Sequence, residues 1–326
     1  MLRKNVLACL ATLAMAGAAL APAAAQPSYP ASPVRLVVPQ SAGSGGDVVA
    51  RLLGEKLGQL LGQPVVVENR PGANGVIAAS FVAKAQPDGY TLLLSGSSQM
   101  VFNPALYKNL PYDPQRDFTY VAPVVDTPFV LVASKHSGLT AFEQVVKAAR
   151  EKPGSLTYSS AGAGNSTHLS TAMLADQAGI ALLHVPFKGS GPALNAVMGG
   201  QIDLMSSVVG AALPQVQAGM VRPLLIMGAD RVAELPGVPT AQSLGLDLPK
   251  LPSWFALMGP AGLPGPVVER LGQATRAALA DPEIVAKLQA LNLYVVPGTG
   301  GELADSARQD AKVWGELIQR LGVQVE

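Results

Sequence analysis

Short apolar runs alternate with longer amphipathic stretches along most of the chain, and turns rich in glycine and proline separate them. Val34–Val38 is a β-branched run between two prolines, which is the pattern of a buried strand. A loop of glycine and serine follows, and we expect Asp47 to cap an amphipathic helix whose leucines fall on one side. Strand, glycine loop and helix in this order predict a βα unit.

The same unit recurs down the chain. Further strands are predicted at 65–68, 90–94, 129–133, 156–159, 182–186, 202–205 and 224–227, with a helix from Val76 and a second helix opened by the capping-box spacing of Thr140–Glu143. A second glycine loop, 160–168, also leads into a helix. Such alternation predicts mainly parallel sheets flanked by helices.

Two lobes are expected from the length of the chain. The chain has 326 residues, or 301 without residues 1–25, and this length exceeds the size at which one hydrophobic core keeps growing. The segment 254–258 has the pattern of a strand that returns to the first sheet. We therefore predict an α/β protein with one lobe from residues 27–125 plus 256–326 and the other from residues 126–255.

The N-terminus has the pattern of a bacterial signal peptide. Arg3 and Lys4 precede an apolar run from Val6 to Leu20, and small residues end at Ala25. The run has about fifteen residues, whereas a membrane-spanning helix needs roughly 20. We predict cleavage after Ala25, removal of residues 1–25, and a mature protein in the periplasm.

Charge and cysteine content narrow the classes of partner. Without Arg3 and Lys4 the formal net charge changes from +1 to −1, so nothing attracts nucleic acid or anionic lipid. Cleavage also removes Cys9, the single cysteine of the chain, so neither a disulfide nor a thiolate zinc site is expected. We expect a monomer.

No enzyme motif emerges from the sequence. The loop 43–46 lacks the Lys-Ser/Thr pair of a P-loop, and the loop 162–167 lacks the third glycine of a dinucleotide fingerprint. A Gly-x-Ser-x-Gly elbow does not occur, and His136, His168 and His184 have no metal-ligand spacing. We interpret His184 as structural, and we expect no catalysis, no cofactor and no metal.

The two glycine loops favour binding of an anion instead. Each precedes a helix whose first backbone N–H groups lack intrahelical partners, and the helix dipole is positive there. In open α/β sheets the ligand crevice lies beyond the carboxyl ends of the strands. The alternative is that these are ordinary βα turns with glycine for steric reasons. Lys188 is the one cation in these loops, so backbone N–H groups would supply most of the field.

Several longer segments resemble one known family. These segments are Val34–Pro39, the loop 43–47, Val65–Ala73, Pro87–Leu93, Asn103–Tyr107, Leu110–Asp113, Ser160–Gly162, His168–Leu169, His184–Gly189, Gly200–Asp203, Pro236–Thr240 and Ser253–Phe255. Together they cover essentially the whole mature chain. They are similar to the Bug family, the substrate-binding proteins of tripartite tricarboxylate transporters.

The resemblance implies a clamshell-like, periplasmic-binding-protein-like fold that closes on a small carboxylate for delivery to membrane transporter subunits. It implicates Gly43, Ser44, Gly45 and Gly46; Ser97, Ser98 and Gln99; Asn165, Ser166 and Thr167; Phe187, Lys188 and Gly189; and the region of Asp203. Asp203 could equally be a strand-end cap. Gln40 with Ser41, Ser44 and Phe187 depart from the residues usual in the family. A periplasmic ligand sensor without transport is the alternative function.

Overall fold

The computed structural model describes residues 29–228, 230–249 and 251–325. The predicted signal peptide and its cleavage after Ala25 lie outside the described residues. The strands are β1 Val34–Val38, β2 Val65–Asn69, β3 Thr91–Gly96, β4 Phe118–Asp126, β5 Phe129–Ser134, β6 Thr157–Ser160, β7 Leu183–Pro186, β8 Leu204–Val208, β9 Val221–Ile226, β10 Phe255–Pro260 and β11 Tyr294–Val295.

The α-helices are α1 Gly45–Leu61, α2 Val76–Ala83, α3 Asn103–Leu106, α4 Phe142–Glu151, α5 Ser166–Ala178, α6 Ser190–Met198, α7 Val209–Gln217, α8 Gly265–Leu279, α9 Pro282–Ala290 and α10 Gly300–Arg320. A π-helix covers Ser98–Phe102. None of the described helices is long and apolar enough to cross a membrane.

The strands form two mixed sheets, where the sequence predicted mainly parallel ones. The first sheet has the order β11-β4-β10-β3-β1-β2 and the second has the order β7-β6-β8-β5-β9. Strand β10 runs antiparallel to β3 and β4, and β5 runs antiparallel to β8 and β9. The reason is the path of the chain: β5 and β10 each begin where the chain has just crossed from the other sheet, so they enter at the edge where their neighbours end.

These directions place the loops of both sheets at one junction. Strands β1 to β4 end at the same edge of the first sheet, and β6 to β9 end at the same edge of the second. Only Thr127 and Pro128 separate the end of β4 from the start of β5. The Ser253 hydroxyl, on the return path to β10, donates a hydrogen bond to the Asp126 carboxylate beside this crossing. The carboxyl-end edges of the two sheets therefore meet at the crossing segments.

Two of the predicted helix caps are wrong. Helix α1 begins at Gly45 with Ser44 as its N-cap, so Asp47 lies inside the first turn. The N-cap of α4 is Ala141, which makes no side-chain hydrogen bond, and the Thr140 N–H donates to Gln144 at 2.7 Å instead. At α1 the Ser44 hydroxyl accepts the N–H of Asp47, whereas no side chain caps the start of α4.

Apolar packing also joins the two sheets. One buried cluster contains Leu93 and Phe102 from the first sheet and its loops, and Leu131 and Leu169 from the second. The Trp314 ring of α10 packs on Phe102 at a centroid distance of 5.0 Å. Each sheet has a separate apolar cluster on its other face. The shared cluster lies beside the junction and holds the two edges in position.

Candidate ligand-binding site

Helix α1 begins at the edge of the first sheet, directly after the first glycine loop. The Ser44 hydroxyl accepts a hydrogen bond from the Asp47 N–H at 3.3 Å. Within the described chain, the N–H groups of Gly45 and Gly46 have no hydrogen-bond partner, as is usual in a first helical turn. Gly43 differs, because its N–H donates to the Asp47 carboxylate at 2.8 Å and its φ of 78° favours glycine. Gly45 and Gly46 are the free donors of this loop.

Asp47 holds the loop in this shape. Its buried carboxylate accepts hydrogen bonds from Gly43, from Arg51 Nε at 3.0 Å and from Asn69 Nδ2 at 3.0 Å. Burial alone would raise the pKa of Asp47, but the hydrogen bonds from Arg51, Gly43 and Asn69 outweigh burial and hold the pKa below its ordinary value. The carboxylate therefore stays charged and keeps the Gly43 N–H for itself.

Of the three predicted ligand-binding residues after β3, two form hydrogen bonds within the protein. The Ser97 hydroxyl donates to the carbonyl of Pro252 at 2.5 Å, and the side chain is buried. Gln99 is also buried, and its Nε2 donates to the carbonyl of Asn74 at 2.9 Å. Ser98 is half-buried at the first residue of the π-helix, a conformation that is frequent at functional sites. Ser98 is the one of these three that faces partly to solvent.

Helix α5 begins at the opposing edge, after β6. Asn165 is its N-cap and accepts hydrogen bonds from the Thr167 N–H at 3.1 Å and the Thr167 hydroxyl at 3.2 Å. The Thr167 hydroxyl accepts the N–H of Ala161 at 2.9 Å, so this side chain ties the loop to the helix. Thr167 is buried inside α5 and does not lie in the loop. The Ser166 N–H has no partner within the described part of the chain.

The segment after β7 packs beside this loop. The Phe187 N–H donates to the carbonyl of Ser160 at 3.0 Å, and the Gly189 N–H donates to the carbonyl of Ala161 at 3.2 Å. Lys188 is exposed between them and forms no ion pair with any residue in the described ranges. Its ammonium group is free to approach an anion.

The side chains of His168 and His184 pack against the second glycine loop, residues 160–168. The rings of His168 and His184 are stacked, and Tyr158 stacks on His184 at a centroid distance of 4.9 Å. The Gly164 N–H donates to His168 Nδ1 at 3.0 Å. Burial, with a smaller contribution from the neighbouring His184, lowers the pKa of His168 to about 3, and burial lowers the pKa of His184 to about 4. Both rings are neutral near pH 7, so His168 Nδ1 can accept the loop N–H.

The Ser160 hydroxyl lies 2.7 Å from His184 Nε2, which is the distance of a nucleophile and its base. Ser160 is completely buried, however, and its one hydroxyl hydrogen is donated to the carbonyl of Gly162 at 3.1 Å, which leaves His184 Nε2–H as the donor to the hydroxyl oxygen. A nucleophile must reach its substrate. The pair therefore shapes the loop.

Asp203 lies at the opposite edge of the second sheet. It precedes β8, and its carboxylate accepts hydrogen bonds from the N–H and the hydroxyl of Thr157, both at 2.8 Å. Thr157 is the first residue of β6, which runs parallel to β8. Of the two interpretations of Asp203 left open by the sequence, the strand-end cap fits this position.

The other predicted ligand-binding residues lie at the carboxyl-end edges of the two sheets. The glycines among them and beside them have two different roles. A Cβ on Gly164 would lie 2.7 Å from the Leu106 side chain, so this glycine permits close packing between the sheets. A Cβ on Gly45 would meet no atom within 4 Å, so this glycine leaves open space. The sequence missed the roles of Asn69 and His168, because Asn69 contacts Asp47 and the His168 ring stacks on His184, both distant in the chain. The stacked ring of His184 agrees with its structural interpretation.

No cluster of three or more histidine, cysteine or acidic side chains suited to a metal occurs among the described residues. A cavity of about 950 Å³ lies between residues 100–120 and the first half of α10, and it contains none of the predicted ligand-binding residues. The geometry at the two edges can thus present neutral N–H donors, hydroxyls and one free ammonium group to an anion.

Comparison with known proteins gives the family. The model of the tripartite tricarboxylate transporter family receptor matches residues 49–323. The chain is 33% identical to the protein BugT of Bordetella pertussis, over 96% of both chains. It is 31% identical to Rpa4515 of R. palustris, solved with adipate, with a TM-score of 0.85 and coverage of 91% of this chain and 99% of that one.

MatC (Rpa3494) of Rhodopseudomonas palustris, solved with bound malate, is 32% identical, with a TM-score of 0.82 and coverage of 89% of this chain and 100% of that one. These matches confirm the two-lobed α/β fold of a periplasmic binding protein, with mixed sheets. They also confirm the resemblance found in the sequence. The chain belongs to the Bug-type receptors of the tripartite tricarboxylate transporter family, which are substrate-binding proteins.

Proposed function

We propose that this protein binds a small carboxylate in the periplasm and delivers it to a tripartite tricarboxylate transporter in the membrane, without catalysis. The observation that carries the proposal is the pairing of two helix starts, α1 and α5, at meeting sheet edges with free N–H groups on both. Relatives of this fold that bind adipate and malate support a carboxylate as the ligand.

The ligand carboxylate lies between the two loops in this proposal. On one side it accepts hydrogen bonds from the N–H groups of Gly45 and Gly46, and on the other from the N–H of Ser166. Gly43, Ser44, Asn165 and Thr167 shape these donors. Ser98 and Lys188 approach from the flanks, and Phe187 and Gly189 fix the backbone around Lys188.

Partial charges are sufficient for such a site. Hydrogen bonds to a charged group contribute roughly 1.5–3 kcal/mol each, and micromolar affinity corresponds to about 8.2 kcal/mol. A few such bonds, with burial of the ligand body, offset the entropy of association. An arginine is not required.

Two lobes close around this ligand in the proposal, one of residues 27–125 plus 256–326 and the other of residues 126–255. The strands β5 to β9 belong to one sheet and β10 returns to the other, which supports crossings near Thr127 and near Phe255. Closure would bring the start of α1 toward the start of α5. X-ray scattering should show a smaller radius of gyration when a tight ligand is added.

A thermal-shift screen of the purified protein against a carboxylate library that includes adipate and malate tests the function. A ligand at 100 times its dissociation constant stabilises the folded state by about 2.7 kcal/mol. No stabilisation by any carboxylate would overturn the proposal. Retained uptake of the bound carboxylate after deletion of the protein would overturn delivery to a transporter, and loss of gene induction alone would favour sensing.

Gly45→Asp tests the place of the carboxylate, with Gly45→Ala as its control. A Cβ at position 45 has open space, so both variants should fold. The aspartate puts a like charge against the ligand, so we expect at least a 10-fold loss of affinity, whereas alanine should change affinity little. Unchanged affinity in Gly45→Asp would place the anion elsewhere, with Lys188 the next candidate.

A further inference from the structure

The side chain of Gln40, which precedes α1 in the chain, packs against the first turn of that helix. It is half-buried two residues after β1, and its Oε1 lies 1.9 Å from where a Cβ on Gly46 would be. The Ser44 hydroxyl is 3.4 Å from the same oxygen. A helix N-terminus carries partial positive charge, so it favours the carbonyl end of the amide over the NH2 end. The amide oxygen of Gln40 therefore faces the helix start and accepts a hydrogen bond from the Ser44 hydroxyl.

The NH2 end of this amide differs from the oxygen end. Oxygen and nitrogen lie on opposite sides of the amide carbon, so Nε2 is directed away from the contact made by Oε1. Nε2 forms no hydrogen bond with the residues in the described ranges. The backbone is fixed, since Asn69 Nδ2 donates to the carbonyl of Gln40 at 3.0 Å. The two N–H groups of Gln40 Nε2 are thus available to a ligand at the edge where Gly45 and Gly46 present their backbone N–H groups.

An aromatic wall adjoins the amide. A ring carbon of Phe255 lies 3.1 Å from the Cβ position of Gly46 and 3.5 Å from that of Gly96. Both neighbours lack a side chain, so the half-buried ring lies against backbone. Such a wall suits the carbon chain of a ligand, with donors at the helix start and a further donor on Gln40.

We propose that Gln40 is a specificity-determining residue, whose amide NH2 donates a hydrogen bond to a second oxygen group of the bound carboxylate. The inference rests on the proposed function. A site with a dedicated donor rejects an analogue that lacks the acceptor, because the donor is then left unpaired. The protein should therefore prefer a carboxylate with a second acceptor to the same molecule without one.

Titration calorimetry with matched pairs tests this inference. The probes are adipate with hexanoate, and succinate with butanoate, which differ only in the second carboxylate. We expect the purified protein to bind at least one of the two dicarboxylates about 10-fold or more tightly than the matched monocarboxylate. Gln40→Leu should reduce that ratio by about 10-fold while the monocarboxylate keeps its affinity, since one hydrogen bond to a charged group is lost.

Gln40→Glu tests the same contact independently. A carboxylate at position 40 repels the second carboxylate of the ligand, so dicarboxylate affinity should fall further than in Gln40→Leu. Gln201→Leu is the matched control, because Gln201 is exposed in the turn after α6, near Asp203 and away from the junction. It should keep the ratio of the unchanged protein.

Different outcomes would overturn the proposed function and the role of Gln40. If none of the four probes and no other carboxylate in the library binds, the proposed function falls and this inference falls with it. If a dicarboxylate binds but the ratio is the same in the unchanged protein and in Gln40→Leu, only the role of Gln40 is overturned. Equal loss of both members of a pair in Gln40→Leu also overturns it, since a general packing role would have that effect.

Discussion

The imidazole rings of His168 and His184 are stacked at a centroid distance of 3.8 Å with 3° between their planes. They come from α5 and β7, and together they form the floor of the loop that precedes α5. His168 Nδ1 accepts the Gly164 N–H, which requires the ring to be neutral. The geometry of the second glycine loop is therefore linked to proton uptake.

Lowering the pH from about 6.5 toward 4 should destabilise the protein through His168. The unfolded chain binds a proton at the ordinary histidine pKa of about 6.5, whereas burial lowers the pKa of folded His168 to about 3. The folded state binds fewer protons in this range, so its stability is fully present above the unfolded pKa and decreases below it. The slope is up to about 1.4 kcal/mol per pH unit.

Urea unfolding across this pH range measures the effect. His168→Gln should show a shallower decrease in the free energy of unfolding, whereas the exposed His136→Gln should keep the slope of the unchanged protein. Equal slopes in all three proteins would contradict the assignment.

Gly210→Ala should destabilise the contact between α7 and the turn after α9. A Cβ at position 210 would lie 2.0 Å from the carbonyl oxygen of Leu291, a backbone atom that cannot rotate away. Overpacking of this kind costs about 1–3 kcal/mol in the free energy of unfolding. Denaturant unfolding gives the value.

Gly191→Ala is the control for this change. Gly191 is the second residue of α6, as Gly210 is of α7, but a Cβ there would meet no atom within 4 Å. We expect a neutral effect or a gain of up to about 1 kcal/mol. The same loss of stability in both variants would show that the contact with Leu291 is not the cause.

Thr167→Ala should lower both stability and ligand affinity. The hydroxyl accepts the Ala161 N–H and donates to Asn165, so its removal leaves a partly buried donor unpaired at a cost of about 1–3 kcal/mol. Displacement of the loop should weaken carboxylate binding by about 10-fold. Thr167→Ser keeps the hydroxyl and should retain most of both properties, as measured by urea unfolding and calorimetry. A serine variant as weak as the alanine variant would implicate the methyl group.

Asp47→Asn should loosen the first glycine loop. The Asp47 carboxylate now accepts hydrogen bonds from Gly43, Arg51 and Asn69. An asparagine amide has only one oxygen, and its NH2 group would face one of these three donors. We therefore expect the free energy of unfolding to fall by about 1–3 kcal/mol. Glu55→Gln, in an exposed position of the same helix, removes the same charge and should change stability little. If the two variants have equal stability, the shared hydrogen bonds are not what holds the loop.

Local pattern was sufficient for most of the elements. The strand Val34–Val38 has the bounds expected from its β-branched run between prolines, and β2, β3 and β5 begin within one residue of the expected positions. The caps were less predictable. Ser44, Asp47 and Thr140 are all residues that cap helices, and the one that does so depends on neighbours such as Asn69 and Gln144.

The sequence by itself determined the α/β class and the places where glycine loops open helices, because strand and helix periodicity and turn residues act over short stretches of chain. It also indicated the family, through the resemblance of segments spread over the whole mature chain. Tertiary structure alone decided strand direction, since β5 and β10 run antiparallel only because the chain crosses between sheets. It also decided which polar groups stay free. Asp47 accepts the Gly43 N–H and His168 accepts the Gly164 N–H, whereas the N–H groups of Gly45, Gly46 and Ser166 find no acceptor among the described residues. Hydrogen bonds are assigned by proximity in space, and proximity is fixed only when the sheets and helices pack.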